Sequence, residues 1–194
     1  MTDFRSEPPA ATLPTPSFAW DNMFLTPEDD PRSDGNFDDE REMLVNYLRD
    51  QRLTLELKCA GLDAEQLARP AVPPSPLSLL GLVRHMSEVE SAWFRSIMAG
   101  EDAPRLYRTD SDQDADFTGA VADPAVVAEA WDTWRAQVAY AGRFVAENDL
   151  GVKGKRGNEE ITLRELLVHM IEEYARHNGH ADFLRERIDG RVGQ

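Results

Sequence analysis

The sequence predicts an all-α protein built as a four-helix bundle, preceded by an irregular arm. Three observations carry that expectation. Four segments of about 22 to 26 residues repeat apolar side chains at three- and four-residue intervals, which places them on one helical face. Most of these segments open on a capping residue and close on glycine. No segment shows the two-residue alternation of a half-buried strand. Four amphipathic helices bury their apolar faces most simply against one another.

The first 36 residues are rich in proline, acid and small polar residues, a composition that cannot sustain a helix, so residues 1–36 are expected to form the arm and 37–194 the bundle. Within the arm, Phe18, Trp20, Met23, Phe24 and Leu25 form an apolar cluster that calls for a cover, either the bundle itself or a second subunit of a homodimer. The first helix is expected from about Asp39 to Ala60, capped by Asp38, with Leu44, Tyr47, Leu48, Leu55 and Cys59 facing inward. The second is expected from Ser75 as cap and Pro76 as first helical residue to about Ala99, with an inward stripe of Leu79, Leu82, Met86, Val89, Trp93 and Ile97. A long acidic loop, 101–122, follows. Asp123 before Pro124 opens the third helix, whose stripe runs Val127, Trp131, Trp134, Val138, Ala141 and Val145. After a basic turn region, 151–157, Thr162 and Glu165 form a capping box for a fourth helix reaching about Arg187.

Composition narrows the function. Thirty-six acidic residues against 21 basic ones give a net charge of −15, which repels a phosphate backbone and argues against nucleic-acid binding. No apolar run approaches the roughly 20 residues a membrane span needs, and the N-terminus lacks a secretory pattern, so a cytoplasmic protein with no membrane partner is expected. Cys59 is the single cysteine, expected to be a small buried hydrophobe and not a reactive thiol. The alternating Asp110, Asp112 and Asp114 lack the glycine and the closing glutamate of a calcium loop and read as a solvated acidic stretch.

All four histidines sit on the second and fourth helices. At about 100° per residue, Glu173 and His177 project roughly 40° apart on the inward side of the last helix, while His85 lies one turn from Leu82 and Val89 on the second. A carboxylate in an apolar interior must protonate or bind a cation. A divalent ion such as zinc takes imidazole nitrogen and carboxylate oxygen together, and three protein donors leave one position open for chemistry. The plainer reading is an i, i+4 surface pair of Glu173 and His177, stabilising the helix by about 0.2 to 0.5 kcal/mol. His169 and His180 lie near enough on the helical wheel to be rival donors. Arg84 and Arg176 read as solvent-facing or ion-paired, and Tyr174 and Trp93 as core aromatics.

The segments LSLLGLVRHMSEVESAWFR and ITLRELLVHMIEEYARHNGHADFLRERIDG resemble an actinobacterial family of unknown function in the DinB-like superfamily, whose relatives include metal-dependent thiol transferases and mycothiol-dependent maleylpyruvate isomerase. The resemblance covers roughly residues 40 to 190. It implies a DinB-like four-helix bundle holding a divalent metal, zinc or nickel, through one histidine of the second helix and a pair spaced by four on the last. The first donor carries over to His85. The second of the pair carries over to His177, because Asn178-Gly179-His180 matches the family's small-residue step, and the first falls on Glu173, as in the isomerase branch. The resemblance further implies an enzyme that uses a low-molecular-weight thiol, mycothiol or similar, in transfer, conjugation or detoxification of a small electrophile. The alternative is a metal- or ligand-binding stress protein with no chemistry of its own. No catalytic or thiol-binding side chain is assigned from sequence.

Overall fold

A computed structural model describes residue 25 and residues 30–32 and 35–193. Phe18, Trp20, Met23 and Phe24 of the expected apolar cluster lie outside the described residues; Leu25 is partly buried. The architecture is all-α, with the order α1 (Glu40–Cys59), α2 (Ala64–Ala68), α3 (Leu79–Glu90) running directly into a π-helical segment (Ser91–Met98), α4 (Ala115–Thr118), α5 (Pro124–Glu147), a hairpin of β1 (Lys153–Arg156) and β2 (Glu159–Thr162), and α6 (Leu163–Asp189). Helix α1 packs chiefly along α6 and α3 along α5, with α3 also touching α6. The four long helices enclose a core that includes Leu48, Leu55, Leu82, Met86, Trp134, Leu166, Met170 and Tyr174.

Each long helix starts where a side chain can satisfy an otherwise unpaired N–H. Asp39, one residue later than expected, accepts from Glu42 N in α1. Asp123 caps α5 with Pro124 behind it, and Thr162 with Glu165 forms the reciprocal box of α6. Gly190, at φ 80°, ends α6 two residues beyond the expected Arg187.

The structure corrects the second helix in two ways. Its cap is Ser78, accepting from Gly81 N at 3.1 Å, so the helix begins at Leu79 and Ser75 and Pro76 belong to the preceding connection. Its inward stripe also changes phase, because each π-helical turn takes up an extra residue. Phe94 and Met98 are buried where Trp93 and Ile97 were expected to point fully inward, and the latter two are only half-buried.

Other differences are local. Tyr47 is 46% exposed and not part of the α1 core face. The basic turn region is the start of a hairpin, paired antiparallel from Lys153 opposite Thr162 to Arg156 opposite Glu159. It lies against the π-helical segment so closely that a Cβ on Gly154 would stand 2.5 Å from Ile97 O. The 101–122 loop contains α4 and is anchored to α3, as described next.

Candidate metal centre

Residues 85, 173 and 177 converge. His85 projects from the middle of α3, and Glu173 and His177 from adjacent turns of α6 where that helix passes α3. One donor atom from each can be chosen so that all lie within 4.8 Å of one another, a grouping that could hold a metal ion. Glu173 Oε1 is 3.4 Å from His177 Nε2 and 3.7 Å from His85 Nε2, and the two imidazoles stand 4.7 Å apart between centroids. The three side chains are 12%, 25% and 11% exposed, so a small molecule can approach a site that is mostly shielded from water.

The opposite edge of His85 is fixed by a residue that sequence reasoning missed. Asp116 is fully buried, and its Oδ2 lies 2.8 Å from His85 Nδ1. Arg108 donates to the same oxygen through Nε at 3.2 Å and Nη2 at 3.0 Å. Burial would raise the Asp116 pKa, but hydrogen bonds from His85 and Arg108 outweigh it and hold the carboxyl below its usual range. Arg108 Nη2 also lies 3.2 Å from His85 Nδ1, but the carboxylate is closer and can only accept, so an ionised Asp116 favours the neutral tautomer with Nδ1–H, whose lone pair is on Nε2, facing Glu173. Carboxylates that hold a histidine in this way are common behind metal ligands.

Asp116 is held there by α3. Arg84, expected to face solvent or to be ion-paired, is buried and lies 3.6 Å from Glu129; it donates to Asp116 O at 2.9 Å and Ala115 O at 3.0 Å, and its guanidinium lies 3.8 Å from the centroid of the Tyr107 ring. Glu88 accepts from the backbone N–H groups of Leu106 and Tyr107. Phe117 stacks on His85 with ring centroids 5.2 Å apart, in space left by Gly81, whose Cβ would fall 2.8 Å from the Phe117 ring. The acidic loop is therefore a seated wall of the site. The signal available in sequence was Phe117, an aromatic with no reason to sit in a solvated stretch.

Burial, together with repulsion from His85, lowers the His177 pKa to about 4, so the ring is neutral at physiological pH and has a lone pair to donate. His180 Nδ1 lies 3.4 Å from His177 Nδ1, on the edge turned away from Glu173. His169 packs against Trp93, with centroids 4.6 Å apart, and is outside the cluster. Tyr174 points into the core beside the site. Its hydroxyl donates to Glu90 Oε1 at 2.8 Å and accepts from Trp134 Nε1 at 2.9 Å, and Glu90 is in turn held by Arg52 through Nε and Nη2, both at 2.8 Å. Arg176 is exposed.

The mycothiol-S-transferase family model matches residues 43–190, which spans α1 to the C-terminus of α6. The chain belongs to the mycothiol-S-transferase family. The match includes every element that shapes the cluster: His85, Asp116, Glu173 and His177, and the loop between them. No curated protein and no solved structure matches the chain. Among the described residues, no helix is long and apolar enough to cross a membrane.

The donor set suits a divalent cation. Two neutral-capable imidazole nitrogens and one carboxylate are ligands that zinc and nickel share. A cation would also offset the negative charge of Glu173, which meets no arginine or lysine within ion-pair distance among the described contacts.

Proposed function

We propose that this protein is a metal-dependent transferase that joins the thiol of mycothiol to a small electrophile, with His85, Glu173 and His177 holding one zinc or nickel ion. The observation that carries the proposal is the convergence of those three side chains from α3 and α6, backed by Asp116 on the far side of His85. A bound divalent cation lowers the pKa of a nearby thiol, so that the nucleophilic thiolate is present at neutral pH.

The chain supplies the rest by positioning. Asp116 fixes the His85 tautomer, Arg84 and Arg108 fix Asp116, and Phe117 and Tyr107 stack on His85 and Arg84 from the loop side. Sulfur attacks the electrophilic carbon, a C–S bond forms, the leaving group departs with its electron pair, and the thiol proton goes to solvent. Conjugation of this kind removes reactive small molecules, which makes detoxification the role that fits the chemistry.

Elemental analysis of the purified protein, alongside mycothiol consumption with iodoacetamide, tests the proposal. It expects about one zinc or nickel per chain, turnover above the uncatalysed rate, and loss of both in H85A. Absence of metal ends the metal assignment. Full activity in H85A ends the catalytic one, and bound metal with no thiol consumed supports a non-catalytic binding protein instead.

A further inference from the structure

Both imidazoles of the cluster turn Nε2 toward Glu173 Oε1, which lies 3.7 Å from His85 and 3.4 Å from His177. What meets the other nitrogen of each ring decides where its lone pair sits. Nδ1 of His85 meets Asp116. Nδ1 of His177 meets another imidazole: His180 Nδ1 lies 3.4 Å away, with ring centroids 5.2 Å apart. The two residues stand three apart on α6 and so share a helical face. His177 is buried, which leaves little water to pair with that edge in place of His180.

Two Nδ1 atoms in contact constrain one another. A neutral imidazole carries a proton on one nitrogen and a lone pair on the other, so the pair is hydrogen-bonded only when one Nδ1 is protonated and the other is not. A cation held by His177 Nε2 requires the lone pair there and the proton on Nδ1, which donates to His180; His180 then carries its own proton on Nε2. Without a cation, the Glu173 carboxylate beside Nε2 favours Nε2–H, His177 Nδ1 becomes the acceptor, and His180 donates from Nδ1. Asp116 cannot reverse in this way, because an ionised carboxylate only accepts.

We propose that His180 is the positioning residue of His177, and that the two rings exchange tautomers together when the centre takes up a divalent cation. The proton leaving His177 Nε2 goes to solvent, His177 Nδ1 takes the proton of His180 Nδ1, and His180 Nε2 takes one from solvent, so the pair has no net gain or loss. The inference rests on the metal reading for what holds His177 Nε2, but the hydrogen bond between the rings is measurable in the metal-free chain.

The experiment records nitrogen-15 correlations within the imidazole rings at pH 8, in metal-free and zinc-loaded wild type, and measures zinc affinity of wild type, H180A and H180N against a chromogenic chelator. Metal-free protein should show His177 protonated on Nε2 and His180 on Nδ1, and zinc should reverse both. H180A should bind zinc about tenfold more weakly, the lower end of the 10- to 100-fold that groups behind metal ligands contribute, because a neutral nitrogen is a weaker acceptor than a carboxylate. H180N, whose amide oxygen stands in for Nδ1, should bind zinc as wild type does. Both rings protonated on Nε2 in the metal-free chain would leave the two Nδ1 atoms facing each other without a proton and overturn the pairing. A His180 tautomer that zinc leaves unchanged overturns the exchange. Zinc affinity of H180A within twofold of wild type, or equal weakening in H180A and H180N, overturns the positioning role, the second by assigning the loss to packing. If wild type binds no zinc, the metal reading and the exchange fail together, while complementary tautomers in the metal-free chain still support His180 as the partner of His177.

Discussion

Replacing Asp116 with asparagine probes the arrangement behind His85 without changing side-chain volume. In the native chain one carboxylate oxygen faces three donors, His85 Nδ1 and two guanidinium nitrogens of Arg108, at 2.8 to 3.2 Å. The amide brings one acceptor instead of an anion, and its NH2 competes for the place where His85 and Arg108 donate. His85 then loses the charge that fixes its tautomer with Nε2 unprotonated, and Arg108 loses its partner in a largely enclosed site. Residues that hold a metal ligand in this way typically contribute 10- to 100-fold in affinity, about 1.4 to 2.7 kcal/mol. D116N should therefore bind zinc about 10- to 100-fold more weakly in competition with a chromogenic chelator, while far-ultraviolet dichroism remains that of the parent. Zinc affinity within twofold of wild type would refute the argument that Asp116 organises the centre.

Glu90 is almost fully buried and accepts from Arg52 and Tyr174, so E90A strands a buried arginine and should cost about 3 to 5 kcal/mol in urea unfolding; a loss below 1 kcal/mol would mean that the network relaxes freely. Burial pushes the Cys59 thiol up to about 12, so iodoacetamide should leave it unmodified in the native protein at pH 8 and alkylate it in urea, as mass spectrometry will show. Because the folded-state value is raised above the ordinary 9.0, that thiol's contribution to stability is complete below about pH 9 and is lost as the pH rises from there through 12, where only the unfolded chain ionises at first. Melting temperatures that hold level from pH 8 to 11 in wild type, or that fall no less in C59A, would contradict the assignment.

Helices α1, α5 and α6 were legible because their signals are local. Caps, Pro124 at the first helical position and a 3.6-residue apolar period all act within a few residues of one another. The second helix was legible as a helix but not in phase. Nothing within SAWFRSIM announces π-helical winding, and only packing against the rest of the core moves burial from Trp93 and Ile97 to Phe94 and Met98. The hairpin escaped because KGKR and EEIT carry almost no apolar alternation; its place depends on Gly154 meeting the end of the π-helical segment. At the candidate site, Glu173 and His177 could be placed by spacing on one helix, and His85 by its position one turn from Leu82 and Val89 together with its resemblance to a family motif. Asp116 could not be placed, since its role is set by a contact with a histidine 31 residues earlier in the chain. Arg84 pairs with Glu129, one of the two readings its sequence offered, but its burial against the loop was not legible for a related reason. Its Cα direction points away from His85, but the long side chain travels back to the loop carbonyls.

The buried network explains why α6 presents Glu173 and His177 to α3 with so little freedom. Tyr174 follows Glu173 directly, and its hydroxyl is tied to Glu90 of α3 and Trp134 of α5, while Arg52 of α1 closes on Glu90. Four helices thus meet at one fully enclosed carboxylate. A rotation of α6 that moved Glu173 away from His85 would break the Tyr174 hydroxyl's two hydrogen bonds in a place where water cannot replace them, and an unsatisfied buried polar group costs about 1 to 3 kcal/mol. Glu90 and His85 lie on the same helix, so the network that fixes α6 also sets its phase against the other donor. The core therefore determines the spacing of the three side chains before any ligand arrives, and the loop carrying Asp116 then fixes the orientation of one of them.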